Sequence, residues 1–142
     1  MNEDQGVIYQ ARLHWIIFLY PTLLFLLGFF VLISYESFEK VALLIIGVST
    51  LWWLMHYANY KYSYINIKRS RIVLRAGVWV RQTIDLPMRK IESVDITQNI
   101  LGSMLGYGTM LITGTGGSRN YLSYIKNPLT CRRLIEQMMH EE

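Results

Sequence analysis

The sequence predicts an α-helical membrane hairpin followed by a small, mainly β domain that a C-terminal helix closes. Three observations carry this. Two stretches, Leu13 to Tyr35 and Val41 to Tyr60, contain no Asp, Glu, Lys or Arg. After Tyr60 the apolar residues recur with the alternation of half-buried strands. Near the end, Cys131, Leu134, Ile135 and Met138 fall at i, i+3, i+4 and i+7, the stripe of an amphipathic helix.

The chain has 142 residues, about one domain's worth. Its hydrophobic share of 52% is barely above that of soluble proteins, so the distribution decides the class. A membrane helix needs about 20 mostly apolar residues. Both charge-free stretches qualify, which places spans at about 14–34 and 41–59 within a hairpin of residues 1–60. A cleaved signal has a shorter core and a small-x-small site. Here Ser34-Tyr35-Glu36-Ser37-Phe38 follows instead. A buried helix of a soluble protein would show a polar face, and Phe18 to Ile33 shows none. Pro21 predicts a kink near Ile17. Gly28 on the first span, and Gly47, Ser49 and Thr50 on the second, predict close helix packing.

The six-residue link Tyr35 to Lys40 carries one basic residue, whereas Arg12, Lys61, Lys68, Arg69 and Arg71 flank the other ends. The positive-inside rule therefore puts both termini of this multi-pass protein in the cytoplasm. Trp15, Trp52, Trp53 and Tyr57 are placed toward that interface, with His14 and His56 read as interfacial anchors. Cys131 is the only cysteine, so no intrachain disulfide forms, in keeping with a reducing compartment.

Residues 61–142 read as six or seven short strands and one helix. Strands are expected at Tyr62 to Ile67, Arg71 to Arg75, Val78 to Leu86, Ile91 to Gln98 (with a phase change that a bulge explains), Tyr107 to Thr113 and Arg119 to Ile125. Asn99 to Gly106 reads as a loop with four large apolar residues. Asn127-Pro128 opens the helix as an N-cap followed by Pro in the first turn.

The order of short motifs resembles the bacterial pleckstrin-homology (PH) domain family of small membrane proteins. The motifs are Arg75-Ala76-Gly77, Leu86-Pro87, Lys90-Ile91-Glu92-Ser93-Val94, Leu101-Gly102-Ser103-Met104-Leu105-Gly106-Tyr107-Gly108, Gly114-Thr115-Gly116-Gly117 and Asn127-Pro128. The resemblance implies a membrane α-helical hairpin plus a PH-like β domain: two orthogonal antiparallel sheets capped by a C-terminal helix. It implies little about function, because this fold hosts lipid binding, peptide binding and scaffolding alike. In eukaryotic PH domains the turn after the first strand often holds the headgroup. The tether here would aim that turn away from its own membrane.

No enzyme is legible, and no cofactor is expected. Gly114 to Gly117 lacks the Lys-Ser/Thr ending and following helix of a phosphate loop. Gly102 to Gly108 lacks the strand–turn–helix context of a dinucleotide site. His14, His56 and His140 have no metal-ligand spacing, and no carboxylate pair or nucleophile context appears. Charge is the remaining signal. Lys61 to Lys90 carries eight basic residues against Asp85 alone, a net of +7 where the whole chain has +4. Nucleic acid is one target for such a stretch, but the tether favours the membrane, and no nucleic acid is expected as a partner. The same charges also satisfy a purely topogenic role.

The expected function is a non-catalytic, membrane-anchored module that binds anionic lipid headgroups or a protein partner at the cytoplasmic face. The alternative is a structural subunit that associates with itself or with a larger membrane complex. A transporter is disfavoured, because the spans lack buried ionisable residues of the kind that mark substrate paths. If strands run away from the bilayer and back, alternate turns gather at opposite ends. Lys68, Arg69, Arg71, Arg89, Lys90 and Arg119 would then form a distal end for an anionic ligand or partner. Trp79, Ile100, Leu101, Met104 and Leu105 would face the membrane.

Overall fold

The computed structural model describes residues 6–77 and 82–141. Val78, Trp79, Val80 and Arg81 lie outside the described residues, so the expected start of the third strand and the membrane-facing role of Trp79 do too. The chain forms two compact units. One is Trp15–Lys61; the other joins the residues before Trp15 to those from Tyr62 onward.

The first unit holds two helices, α1 (Leu19–Ser34) and α2 (Glu39–Tyr62). With its preceding turn, α1 makes a 20-residue apolar helix, Trp15–Ser34; the second runs from Glu36 to Tyr62. Each is long and apolar enough to cross a membrane. The expected kink at Ile17 takes another form. A 3-10 turn covers Trp15–Phe18, and Pro21 falls in the first turn of α1. There its missing N–H has no intrahelical acceptor to lose. A Cβ on Gly28 would lie 2.9 Å from Ile45 Cγ2, so this glycine sets the approach of the two helices. Ser49 is buried, with its hydroxyl donating to the Ile46 carbonyl. Gly47 is exposed and nothing lies within 4 Å of its missing Cβ, so it does not contribute to that packing.

The second unit contains two antiparallel sheets and two helices. One sheet has the order β1 (Val7–Arg12), β2 (Tyr64–Lys68), β3 (Arg71–Ala76), β4 (Gln82–Pro87). The other has β5 (Ile91–Thr97), β6 (Tyr107–Gly114), β7 (Arg119–Lys126). β1 corrects the sequence reading, which left residues 1–12 with the hairpin. It pairs with β2 from Val7↔Lys68 to Arg12↔Tyr64. Tyr62 is also reassigned. It ends α2, and the strand begins at Tyr64 after buried Ser63. The phase change in β5 is a register shift between Ile91 and Ser93.

Alternation then builds the core. Ile65 and Ile67 of β2, Ile72 and Leu74 of β3, Val94 of β5, Met110 and Ile112 of β6 and Ile125 of β7 all point inward and are buried. The helix α4 (Pro128–Glu141) packs on β5, β6 and β1. Cys131 and Ile135 of its stripe are fully buried, whereas Leu134 and Met138 are half-buried. Burial pushes the Cys131 thiol up to about 11. The Tyr9 phenol hydrogen-bonds with the Asn127 side chain and the Cys131 thiol, which ties β1 to the start of α4. Asn127 has a φ of 51°, in the left-handed region that Asn tolerates, unlike the extended backbone of an ordinary N-cap.

Candidate ligand-binding and membrane-facing ends

Three connections converge at one end of the β unit. The turn between β2 and β3 carries Lys68, Arg69 and Arg71. A 3-10 turn after β4, Met88–Lys90, carries Arg89 and Lys90. The turn between β6 and β7 leads into Arg119. Two backbone bonds join them: Met88 N–H to the Ser70 carbonyl at 2.9 Å, and Thr115 N–H to the Lys90 carbonyl at 2.7 Å. Gly116 and Gly117 have φ of 87° and 78°, which only glycine adopts without strain, so the last turn is tight by necessity. An open groove of about 590 Å³ runs here, lined by Ser70, Arg71, Asp85, Pro87 and Arg89. Arg71 donates to Asp85 at 3.0 Å, with both side chains about half exposed. Such a pair fixes geometry more than it stabilises.

Strand register places a further pair of basic residues toward the other end of the four-stranded sheet. Directly paired residues share a face, so Arg12, Tyr64 and Arg75 form one row across β1, β2 and β3. The Arg75 guanidinium lies 5.9 Å from the Tyr64 ring centre and donates to its hydroxyl at 3.4 Å. Arg12 was legible only as a topogenic charge, because nothing marked its segment as a strand. The next row holds Gln10, Asn66, Val73 and Asp85.

The opposite end carries an exposed apolar segment. The expected loop Asn99–Gly106 contains a short helix, α3 (Ile100–Leu105). Asn99 caps it, its side chain accepting from Gly102 N–H at 2.6 Å, and Gly106 ends it at φ 81°. Gly102 lies flat on the sheet. A Cβ there would sit 2.6 Å from the Tyr107 carbonyl oxygen. With glycine as the inward face, Ile100, Leu101 and Met104 turn outward, at 83%, 52% and 78% exposure; Leu105 is exposed as well.

His14 corrects the reading of an interfacial anchor. It is only 4% exposed, packed within the β unit. Its backbone N–H donates to the Tyr124 carbonyl, its side chain bonds the Leu105 carbonyl, and its ring lies 5.4 Å from that of Tyr107. Burial, with Lys126 adding to it, holds its pKa below the ordinary value. Beside these rings is a recess of about 230 Å³ lined by Thr97, Asn99, Thr109, Ser123 and Tyr124. Among the described residues, no group of three His, Cys, Asp or Glu is arranged to hold a metal ion.

An apolar helical hairpin carrying a two-sheet β domain with a capping C-terminal helix defines a membrane-associated PH-like protein. Residues 22–140 match the bacterial PH domain family, and the chain belongs to it. It is also similar to the UPF0699 transmembrane protein YdbT of Bacillus subtilis (strain 168), at 26% identity over 92 residues. That match covers 62% of this chain and 19% of the relative, so the chain spans under a fifth of that protein's length.

Proposed function

We propose that this chain is a non-catalytic, membrane-anchored PH-like module on the cytoplasmic face of the bacterial inner membrane. It holds an anionic ligand, a lipid headgroup or an acidic protein partner, at the end formed by Lys68, Arg69, Arg71, Arg89, Lys90 and Arg119. The convergence of three basic connections, stitched by the Ser70–Met88 and Lys90–Thr115 bonds, carries this reading. Charge drawn from separate segments to one end of the domain, with Arg71 and Arg89 lining one groove, is what an anion site requires and what a topogenic signal does not.

Two further observations support the orientation. Basic residues crowd the flanks of the hairpin rather than its link. The β1–β2 pairing requires residues 12 and 64 to lie on one side of the bilayer, hence an even number of crossings. Ser37→Cys should react with an impermeant thiol reagent in intact cells, and Arg69→Cys should not. Native Cys131 is silent on either side because it is fully buried.

The binding test uses the full chain in neutral nanodiscs and the variant Arg69→Glu/Arg89→Glu/Lys90→Glu. Each basic residue near an anionic surface is worth about 1 kcal/mol, so the variant should bind anionic vesicles at least ~100-fold more weakly. If the parent ignores such vesicles but retains a stoichiometric protein that the variant loses, the ligand is that partner. If parent and variant retain the same partner equally, the basic end is not the site and the structural-subunit alternative stands.

A further inference from the structure

The apolar end has a specific occupant. We infer that α3 is an interfacial membrane contact: Ile100, Leu101 and Met104 enter the headgroup–acyl boundary of the bilayer that the hairpin spans. This does not rest on the anion reading, which concerns the other end of the domain.

The argument starts from exposure. Three large apolar side chains on two turns of helix, two of them more than three-quarters exposed, are unfavourable in water. They are not loosely held. Asn99 and Gly106 cap the helix, and Gly102 pins it flat against β6, so no small rearrangement would fold these side chains inward.

Connectivity then selects the bilayer. Both chain segments that lead to the helical hairpin leave the β unit from this end. One is Leu13-His14, bridged to β7 through Leu13↔Ile125 and the His14–Tyr124 bond. The other is Ser63, whose hydroxyl accepts from Gly77 N–H at 3.4 Å. The His14 side chain bonds the carbonyl of Leu105, the last residue of α3. The very next residue, Trp15, begins the first apolar helix. The end of α3 is therefore tied to the residue that immediately precedes the first apolar helix in the chain.

Chemistry is graded in the order an interface demands. The apolar tip is followed by the hydroxyl-lined recess of Thr97, Thr109 and Ser123, and by Lys126, paired with Tyr107. Headgroup glycerol and phosphate suit that second level. An amphipathic helix at an interface buries its apolar face about 5–10 Å below the headgroups, and α3 is about 9 Å long, so a shallow contact suffices.

The test uses the full chain in neutral-lipid nanodiscs, one protein per disc, with a polarity-sensitive fluorophore on Met104→Cys or, separately, on Arg69→Cys. Buried Cys131 is replaced by Ser if it labels. The label at 104 should be quenched by shallow spin-labelled lipid severalfold more than that at 69, and should be shielded from aqueous iodide. Two results overturn the proposal. Equal iodide access at 104 and 69 would mean that α3 stays in water. Shielding at 104 without lipid quenching would mean that protein covers it. Ile100→Cys provides a second reporter on the same face should Met104→Cys perturb the helix. Neutral lipid keeps the outcome independent of any anion site.

Discussion

One end of the β unit presents Lys68, Arg69, Arg89, Lys90 and Arg119 on three turns, while the other presents Ile100, Leu101 and Met104 on a single short helix. Both are made of exposed side chains on one rigid core, yet they ask for opposite surroundings. The basic turns are held to one another by backbone bonds. The apolar helix is held by caps and by a glycine contact, which leave no way to hide its side chains. Backbone geometry committed to displaying apolar groups is what supports the proposed bilayer contact. Charge alone does not make that distinction, because basic residues are at home in water.

The largest expected effect removes the contrast altogether. Ile135 is fully buried where α4 meets the sheets, so Ile135→Ala should cost about 2–5 kcal/mol. Thermal unfolding of the β unit in nanodiscs should drop well below that of Leu134→Ala, which trims a half-buried neighbour. Equal small shifts would mean that α4 does not cap the core.

A narrower change separates the ends. Gly102→Ala places a methyl against the Tyr107 carbonyl and the Asn99 side chain, which should cost about 1–3 kcal/mol locally. Amide exchange should accelerate in α3 and the start of β6, while the turns at 68–71 and 114–118 keep their protection. Uniform acceleration would show that the two ends are one cooperative element.

The smallest effect is a pH dependence confined to the apolar end. His14 has a folded pKa lowered from 6.5, by burial first and Lys126 second. The unfolded chain therefore binds the proton more readily, and stability is lost as pH falls below about 6.5. Its hydrogen bond to the Leu105 carbonyl opposes the shift. His14→Gln should flatten the profile between neutral and mildly acidic pH; an unchanged slope would assign it to another group.

Much of this was legible from residue order. Charge-free runs located both apolar helices, and alternation located most strands, because burial leaves a period in composition. Two elements escaped for physical reasons. β1 is an edge strand whose inner face carries Tyr9 and the small Ala11 while apolar Ile8 is exposed on the outer face, so Val7-Ile8-Tyr9-Gln10-Ala11-Arg12 shows only a weak alternation in sequence. α3 is too short to develop a helical period. Its caps were nonetheless readable, in Asn99 three residues before Gly102 and in Gly106 at the close. The meeting of the basic turns followed from strand alternation. The row through Arg12, Tyr64 and Arg75 did not, because register across the hairpin is a tertiary fact.

The strand that precedes the first span has a consequence for biogenesis. β1 is synthesised before either apolar helix, and its partner β2 only after both. It cannot pair until both intervening helices have been made. A chain that lost either helix would have to bring β1 and β2 together over a different connection, or leave the four-stranded sheet without its edge strand. The register from Val7↔Lys68 to Arg12↔Tyr64 thus makes the first strand to be synthesised wait for the whole helical hairpin before its sheet is complete.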